Sequence, residues 1–142
     1  KAEFHVLRSH FPAIVEHAGA VIVGEESCVG ERGFRHGVDD SADTVEALMD
    51  AIVDRYFEID CAIFSPNDSR QDHIEEMVKR TQARGVIHYS LQFCQPYIME
   101  SIPVEKNLEA DGIPTLRIET DYSMEDAGQL KTRVEAFLEL LS

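Results

Sequence analysis

The sequence is short of several things, and each shortage closes off a class of function. It has no apolar run approaching the roughly 20 residues that cross a bilayer, and its start, Lys1-Ala2-Glu3-Phe4-His5, carries no apolar signal-peptide core. Membrane insertion and export are not expected, and a cytoplasmic location is. Basic residues are scarce: 13 Lys and Arg stand against 27 Asp and Glu, a formal charge of -14. Such a surface repels phosphate backbones and anionic lipid, so neither nucleic acid nor a membrane is an expected partner, although a local basic pocket for an anionic ligand is compatible with it. Cysteine is rare. Cys28, Cys61 and Cys94 are an odd number, far apart and without a C-x-x-C pair. That pattern excludes a secreted disulfide framework, a zinc ribbon and a thioredoxin motif, and it suits a reducing compartment. No G-x-G-x-x-G or Walker pattern passes through Gly24, Gly30 and Gly33, and Ser90 has no G-x-S-x-G setting, so a nucleotide fingerprint and a hydrolase elbow are absent.

What is present reads as one globular α/β domain over residues 1–142, with 44% hydrophobic and 28% charged residues. Apolar runs of strand type alternate with helical stripes. Strands are expected at Phe4–Ser9 (ragged), Ala20–Gly24, Cys61–Phe64, Val86–Leu91 and Thr115–Glu119. Helices are expected at Pro12–Ala18, Asp43–Phe57, Ser69–Arg84, Pro96–Ala110 and Met124–Leu141, with Gly19 and Gly85 ending the first and third. A loop rich in glycine and charge, Glu25 to about Ser41, interrupts the pattern. The alternation predicts a doubly wound, mostly parallel sheet of about four to five strands with helices on both faces.

Ligands of such sheets bind beyond the carboxyl ends of the strands. The expected functional edge therefore holds Glu25–Cys28, Ser65–Asn67, Gln92–Gln95 and Thr120–Tyr122. Cys61 begins its strand and belongs to the opposite edge, roughly 15 Å away, so the three cysteines cannot share one metal. Cys94 lies at a strand end before a helix whose first turn contains Pro96, and a helix N-terminus favours the thiolate that ligates metal or attacks an electrophile. The alternative is a small apolar thiol tucked under a loop. Glu25 and Glu26 are weak acid–base candidates, and Arg32 and Arg35 could pair with them or with a ligand phosphate. His88, inside an apolar strand, reads as a structural histidine; Asn67, Asp68, Asp121 and Ser123 read as helix caps.

Two long segments narrow the function. Gly85-Val-Ile-His-Tyr-Ser-Leu-Gln-Phe-Cys94-Gln-Pro-Tyr-Ile-Met-Glu-Ser-Ile-Pro-Val-Glu-Lys106 and Gly112-Ile-Pro-Thr-Leu-Arg-Ile-Glu-Thr-Asp121 through Phe137 closely resemble the 2-hydroxyacyl-CoA dehydratase family, which includes 2-hydroxyglutaryl-CoA dehydratase and benzoyl-CoA reductase subunits. Gly24-Glu-Glu-Ser-Cys28-Val-Gly-Glu-Arg-Gly-Phe34 is similar to an acidic-x-Cys-x-Gly-x-Arg-x-Phe loop of the same family. The resemblance implies a subunit of two doubly wound domains with a 4Fe-4S cluster between them, held by two cysteines of the upstream domain and one of the Q-F-C-Q-P-Y segment. That ligand corresponds to Cys94, with Gln92 and Gln95 beside it. It further implies an ATP-dependent activator that injects an electron, a second dehydratase subunit, and a CoA thioester that loses water or is reduced by way of a ketyl radical. On this resemblance the chain is expected to be the downstream half of such a subunit. The expectation is therefore a lyase domain that is silent and free of iron by itself, with Glu26 and Arg32 as catalytic candidates. The competing expectation is a non-catalytic α/β scaffold in which Cys94 is structural.

Overall fold

A computed structural model describes residues 11–28, 31–58, 60–121, 123 and 125–142. In chain order these hold α1 (residues 11–17), a 3-10 turn at Glu31–Gly33, α2 (Val45–Phe57), α3 (Asp68–Thr81), β1 (Val86–Leu91), α4 (Gln95–Ala110), β2 (Thr115–Thr120) and α5 (Ala127–Leu140). They form two compact units. One takes in residues up to Gly24 and from Glu75 onward, and the other is Glu25–Ile74.

The first unit is built on β1 and β2, which pair in parallel from Val86 opposite Thr115 to Leu91 opposite Thr120. Parallel neighbours need a crossover, and α4 supplies it. Successive side chains alternate between faces. Ile87, Leu116 and Ile118 face Val15 of α1 and Leu130 and Val134 of α5, with Ile118 and Val134 wholly buried. The other face carries His88, whose Nε2–H donates to the Tyr97 carbonyl of α4 at 3.0 Å. Helices on both faces of a parallel sheet are thus present, as the alternation implied.

The described residues hold two strands where four to five were expected. Residues 20–24 are irregular backbone with Val21 77% and Val23 50% exposed, and residues 61–64 are a turn in which the Phe64 N–H donates to the Cys61 carbonyl at 3.0 Å. An apolar run expresses a demand for burial, but a strand also needs a neighbouring edge for its N–H and C=O groups. Among the described residues β1 and β2 offer such an edge only to each other. The expected strand Phe4–Ser9 lies outside the described residues.

Helix ends show which local signals carried weight. Gly19 takes φ 98° and its N–H donates to the Glu16 carbonyl, closing α1 as a glycine cap should. Gly85 does not end α3. That helix stops at Thr81 because Gln82 adopts φ 54° and the Ala83 N–H reaches back to the Val78 carbonyl. Gly85 instead gives room to α5. The cap expected for the last helix moved: the Asp121 carboxylate accepts from the Ser123 N–H at 2.6 Å, whereas α5 starts later, with Asp126 at its N-cap. Asn67 keeps the expected place directly before α3, its carbonyl accepting from the Gln71 N–H at 3.3 Å, while its amide donates to the Cys61 carbonyl at 2.8 Å. Within α4, Pro103 sits among the buried residues Ser101, Val104 and Leu108.

In the second unit Thr44 caps α2, its hydroxyl accepting from the Ala47 N–H at 3.2 Å. No residue of α2 is buried.

Candidate functional site

The carboxyl ends of β1 and β2 converge on a tight connection into α4. The Gln92 N–H donates to the Thr120 carbonyl at 2.7 Å, extending the ladder by one bond. The Cys94 N–H then returns to the Leu91 carbonyl at 3.1 Å, which closes a four-residue turn with Phe93 at φ 68°. A left-handed phenylalanine costs about 1–3 kcal/mol relative to a relaxed one, so the surrounding bonds must fix it. Here the bonds on either side do so. Its ring is thrown outward, 87% exposed, beside the thiol.

Cys94 occupies the N-cap of α4, half-buried, with its carbonyl accepting from the Ile98 N–H at 3.1 Å and its side chain making no cap hydrogen bond. Gln92 and Gln95 flank it, both exposed. The first turn of α4 is fixed to the sheet by the His88 bond to Tyr97. Beneath the strand ends lie two hydroxyls, Ser90 and Thr120, each about 97–98% buried and without a hydrogen-bond partner. They sit at adjacent register positions, so alternation puts them on opposite faces and they do not converge.

A separate set of charges organises the loop of the second unit. Glu26 is bracketed by Arg32 and by Arg70, whose Nε and Nη2 both lie against Oε2 at 3.0 and 2.9 Å. Asp60 is a second hub: Ser69 Oγ donates to Oδ1 at 2.8 Å, and Arg35 Nη1 (3.1 Å) and His73 Nδ1 meet Oδ2. Burial pushes the Asp60 carboxyl up, yet the Ser69 and His73 hydrogen bonds and the charges of His73 and Arg35 together hold it below its ordinary value of 3.8. Arg55 adds Nε–H to the His36 carbonyl at 2.5 Å and Nη2–H to the Arg32 and Gly33 carbonyls.

The expected residues are therefore sorted. Gln92, Cys94 and Gln95 stand together at the strand ends. Glu26 and Arg32 are brought together as an ion pair, each largely buried, with Arg70 on the other oxygen of Glu26. Arg35 pairs with Asp60 and not with Glu25 or Glu26. Cys28 is exposed and Cys61 half-buried. The sequence reading missed Asp60, Ser69, Arg70 and His73. Its one available signal was the three-residue spacing of Arg70 and His73, which puts both on one side of α3. Among the described residues no three His, Cys, Asp or Glu side chains could hold a metal ion. Cys94 is a soft, accessible thiol at a fold-appropriate edge, so it fits as one ligand of a shared iron–sulfur group but not as a whole site. No helix of the described residues is long and apolar enough to cross a membrane.

Comparison with known proteins places this architecture. Residues 4–141 match the family described as 2-hydroxyglutaryl-CoA dehydratase, D-component. YjiM of Escherichia coli (strain K12), named for a dehydratase subunit, is 39% identical over 89% of this chain and 32% of its own length. The (R)-phenyllactyl-CoA dehydratase beta subunit of Clostridium sporogenes is 31% identical over 90% of this chain and 33% of its own. The beta subunit of (R)-2-hydroxyglutaryl-CoA dehydratase from Acidaminococcus fermentans is 36% identical over 58% of this chain and 22% of its own. The chain spans about a third or less of the length of these relatives.

Proposed function

The chain belongs to the 2-hydroxyglutaryl-CoA dehydratase D-component family, and from that premise we propose that it is the downstream part of a longer iron–sulfur subunit acting on 2-hydroxyacyl-CoA thioesters. In this reading Cys94 is one thiolate ligand of a 4Fe-4S cluster whose remaining ligands come from a further domain. The chain alone is inactive. The observation that carries the reading is the position of Cys94: at the carboxyl edge of a parallel pair, on the N-cap of a helix, with a side chain the helix does not use.

The bound cluster would supply low-potential one-electron chemistry. The chain's own residues do the positioning. The Leu91–Cys94 turn fixes the direction of the thiol, and the His88–Tyr97 bond holds the helix that bears it. Phe93 offers a large apolar cover against water once a partner domain closes on it, and the amides of Gln92 and Gln95 are donors at hand for sulfur or substrate. Glu26 and Arg32, spent on each other and on Arg70, are assigned to shaping their loop and not to proton transfer. The partners of this reading are the upstream domain, a companion subunit as the beta-subunit relatives suggest, and an ATP-dependent activator, in a cytoplasmic setting.

The test is iron and acid-labile sulfide in the longest reading frame containing this chain, purified without oxygen, beside its Cys94→Ala variant. About four irons per chain, lost in the variant, is the expected result. Iron absent from both proteins, with both folded alike, would sink the assignment. A second reading, a scaffold in which Cys94 is structural, draws on the single thiol at that edge. It requires the opposite signature: no iron, and a variant that unfolds more easily.

A further inference from the structure

We propose that the outward face of α2 is a docking surface for the part of a full-length subunit that lies outside these 142 residues. The inference rests on the reading that the chain is one portion of a longer subunit.

At 3.6 residues per turn, Val45, Met49, Ile52, Val53 and Tyr56 share one side of α2, and Ala47, Asp50, Ala51 and Asp54 lie half a turn away. A helix on the surface of a soluble unit normally turns its apolar stripe inward and its charges to water. Here the stripe is not turned inward: it and the side bearing Ala47, Asp50 and Asp54 are both exposed, and Leu48, Ala51 and Arg55 are the part-buried positions. Ala47, Asp50, Ala51 and Asp54 line an open cleft shared with Gly37 and Asp39 of the preceding loop. Arg55 fastens the helix to that loop through the carbonyls of Gly33 and His36. The apolar stripe is left 37–71% exposed. Exposure is not confined to the helix: in the same unit Phe34, Phe57, Ile63 and Phe64 are each more than half exposed. An apolar stripe left exposed along a whole helix is the kind of surface that marks an interface.

Area and charge decide the occupant. A 13-residue helix is about 20 Å long, and one stripe along it falls well short of the roughly 800 Å² per partner that a stable bimolecular contact buries. Two copies of the chain would also bring their acidic edges together, Glu46 and Asp50 against their counterparts, on molecules of charge -14. A tethered segment escapes both objections. Its effective concentration is in the millimolar range for a short link, so a modest strip suffices. The relatives provide for one, being about three times as long as this chain. Its complementary face would be an apolar groove edged by Lys or Arg opposite Glu46 and Asp50.

The experiment compares amide hydrogen exchange of residues 44–58 in the 142-residue chain and in the complete reading frame, each also as the Met49→Glu, Tyr56→Glu double variant, with iron measured alongside. Exchange of α2 at least about tenfold slower in the complete protein, with the difference abolished by the double variant and β1–β2 unaffected, is the expected result. Equal rates in both proteins overturn the inference, as does a reading frame that encodes nothing more. Slow exchange in the 142-residue chain overturns it too: a second copy covers the face if the slowing depends on concentration, and the chain itself if it does not. Slowing that needs a separately added subunit names the wrong occupant and also overturns it. Iron with an open α2 defeats this inference alone, and a protected α2 without iron defeats the cluster reading alone.

Discussion

Arg70 sets two nitrogens against a single oxygen of Glu26, at 2.9 and 3.0 Å, with the arginine 2% and the carboxylate side chain 9% exposed. Arg32 contacts the other oxygen, so one buried negative charge holds two buried positive ones 38 residues apart in sequence (70 − 32). Removing the shared partner takes its charge from both. Glu26→Gln is expected to cost about 3–5 kcal/mol of stability in urea unfolding, as for other buried pairs broken from one side. Glu25→Gln, at an exposed neighbouring carboxylate, should stay within about 0.5 kcal/mol.

Asp60 makes stability depend on acid. Its folded-state affinity for protons is lowered from the ordinary 3.8 because the bonds from Ser69 and His73 and the charge of Arg35 outweigh burial. A carboxyl depressed in the folded state contributes stability that is fully present above its unfolded value and is lost as pH falls through the lower folded one. The urea midpoint should therefore drop as pH falls below about 3.8. Asp60→Asn should flatten that part of the curve while lowering stability above it.

Gly85 marks where the sheet's entry meets α5. A methyl at this position would lie 2.8 Å from Cζ of Phe137 and 3.0 Å from Cδ1 of Leu141, both closer than carbon atoms tolerate. Those atoms are side-chain tips and can give, so Gly85→Ala should destabilise by about 1 kcal/mol, the low end of overpacking. Adding Phe137→Leu should recover part of the loss, a coupling that a double-mutant cycle reads directly.

Cys94→Ser tests the proposed cluster ligand separately from folding. The helix makes no use of the thiol as a cap, and serine is a good N-cap residue, so thermal unfolding of the chain should be unchanged or slightly raised. Iron content of the complete protein should fall all the same, because a hydroxyl is a poor substitute for a soft thiolate. A variant that lost stability and iron together would point to a structural thiol.

How far the sequence could be read follows from the range over which each signal acts. β1 lies where its apolar run placed it, at Val86–Leu91, and α4 and β2 agree with expectation to within a residue. These elements are specified by contiguous residues: a run, a Pro in the first turn, a Gly112 at φ 74° beyond the last. The strands expected at 20–24 and 61–64 fail because a ladder partner is not written in the strand itself. The site divides in the same way. Cys94 at a strand end was legible from topology, whereas Asp60 with His73 and Glu26 with Arg70 are meetings across 13 and 44 residues that no local pattern announces. α2 shows the limit most clearly. Its periodicity gave the helix, but not that the apolar stripe along it would stay exposed.

Pro103 has a bearing on how α4 is held. A pyrrolidine nitrogen carries no hydrogen, so the Met99 carbonyl one turn earlier receives no bond from it, and the rod is weakest between the two. Beyond that joint Val104 and Leu108 are 1% exposed; before it Ser101 is equally buried, and the first turn is tied to the sheet by the histidine bond to Tyr97. The gap in the helix's bonding thus falls between two packed stretches, so the end that bears Cys94 is held by its own contacts with the sheet and not by an unbroken rod.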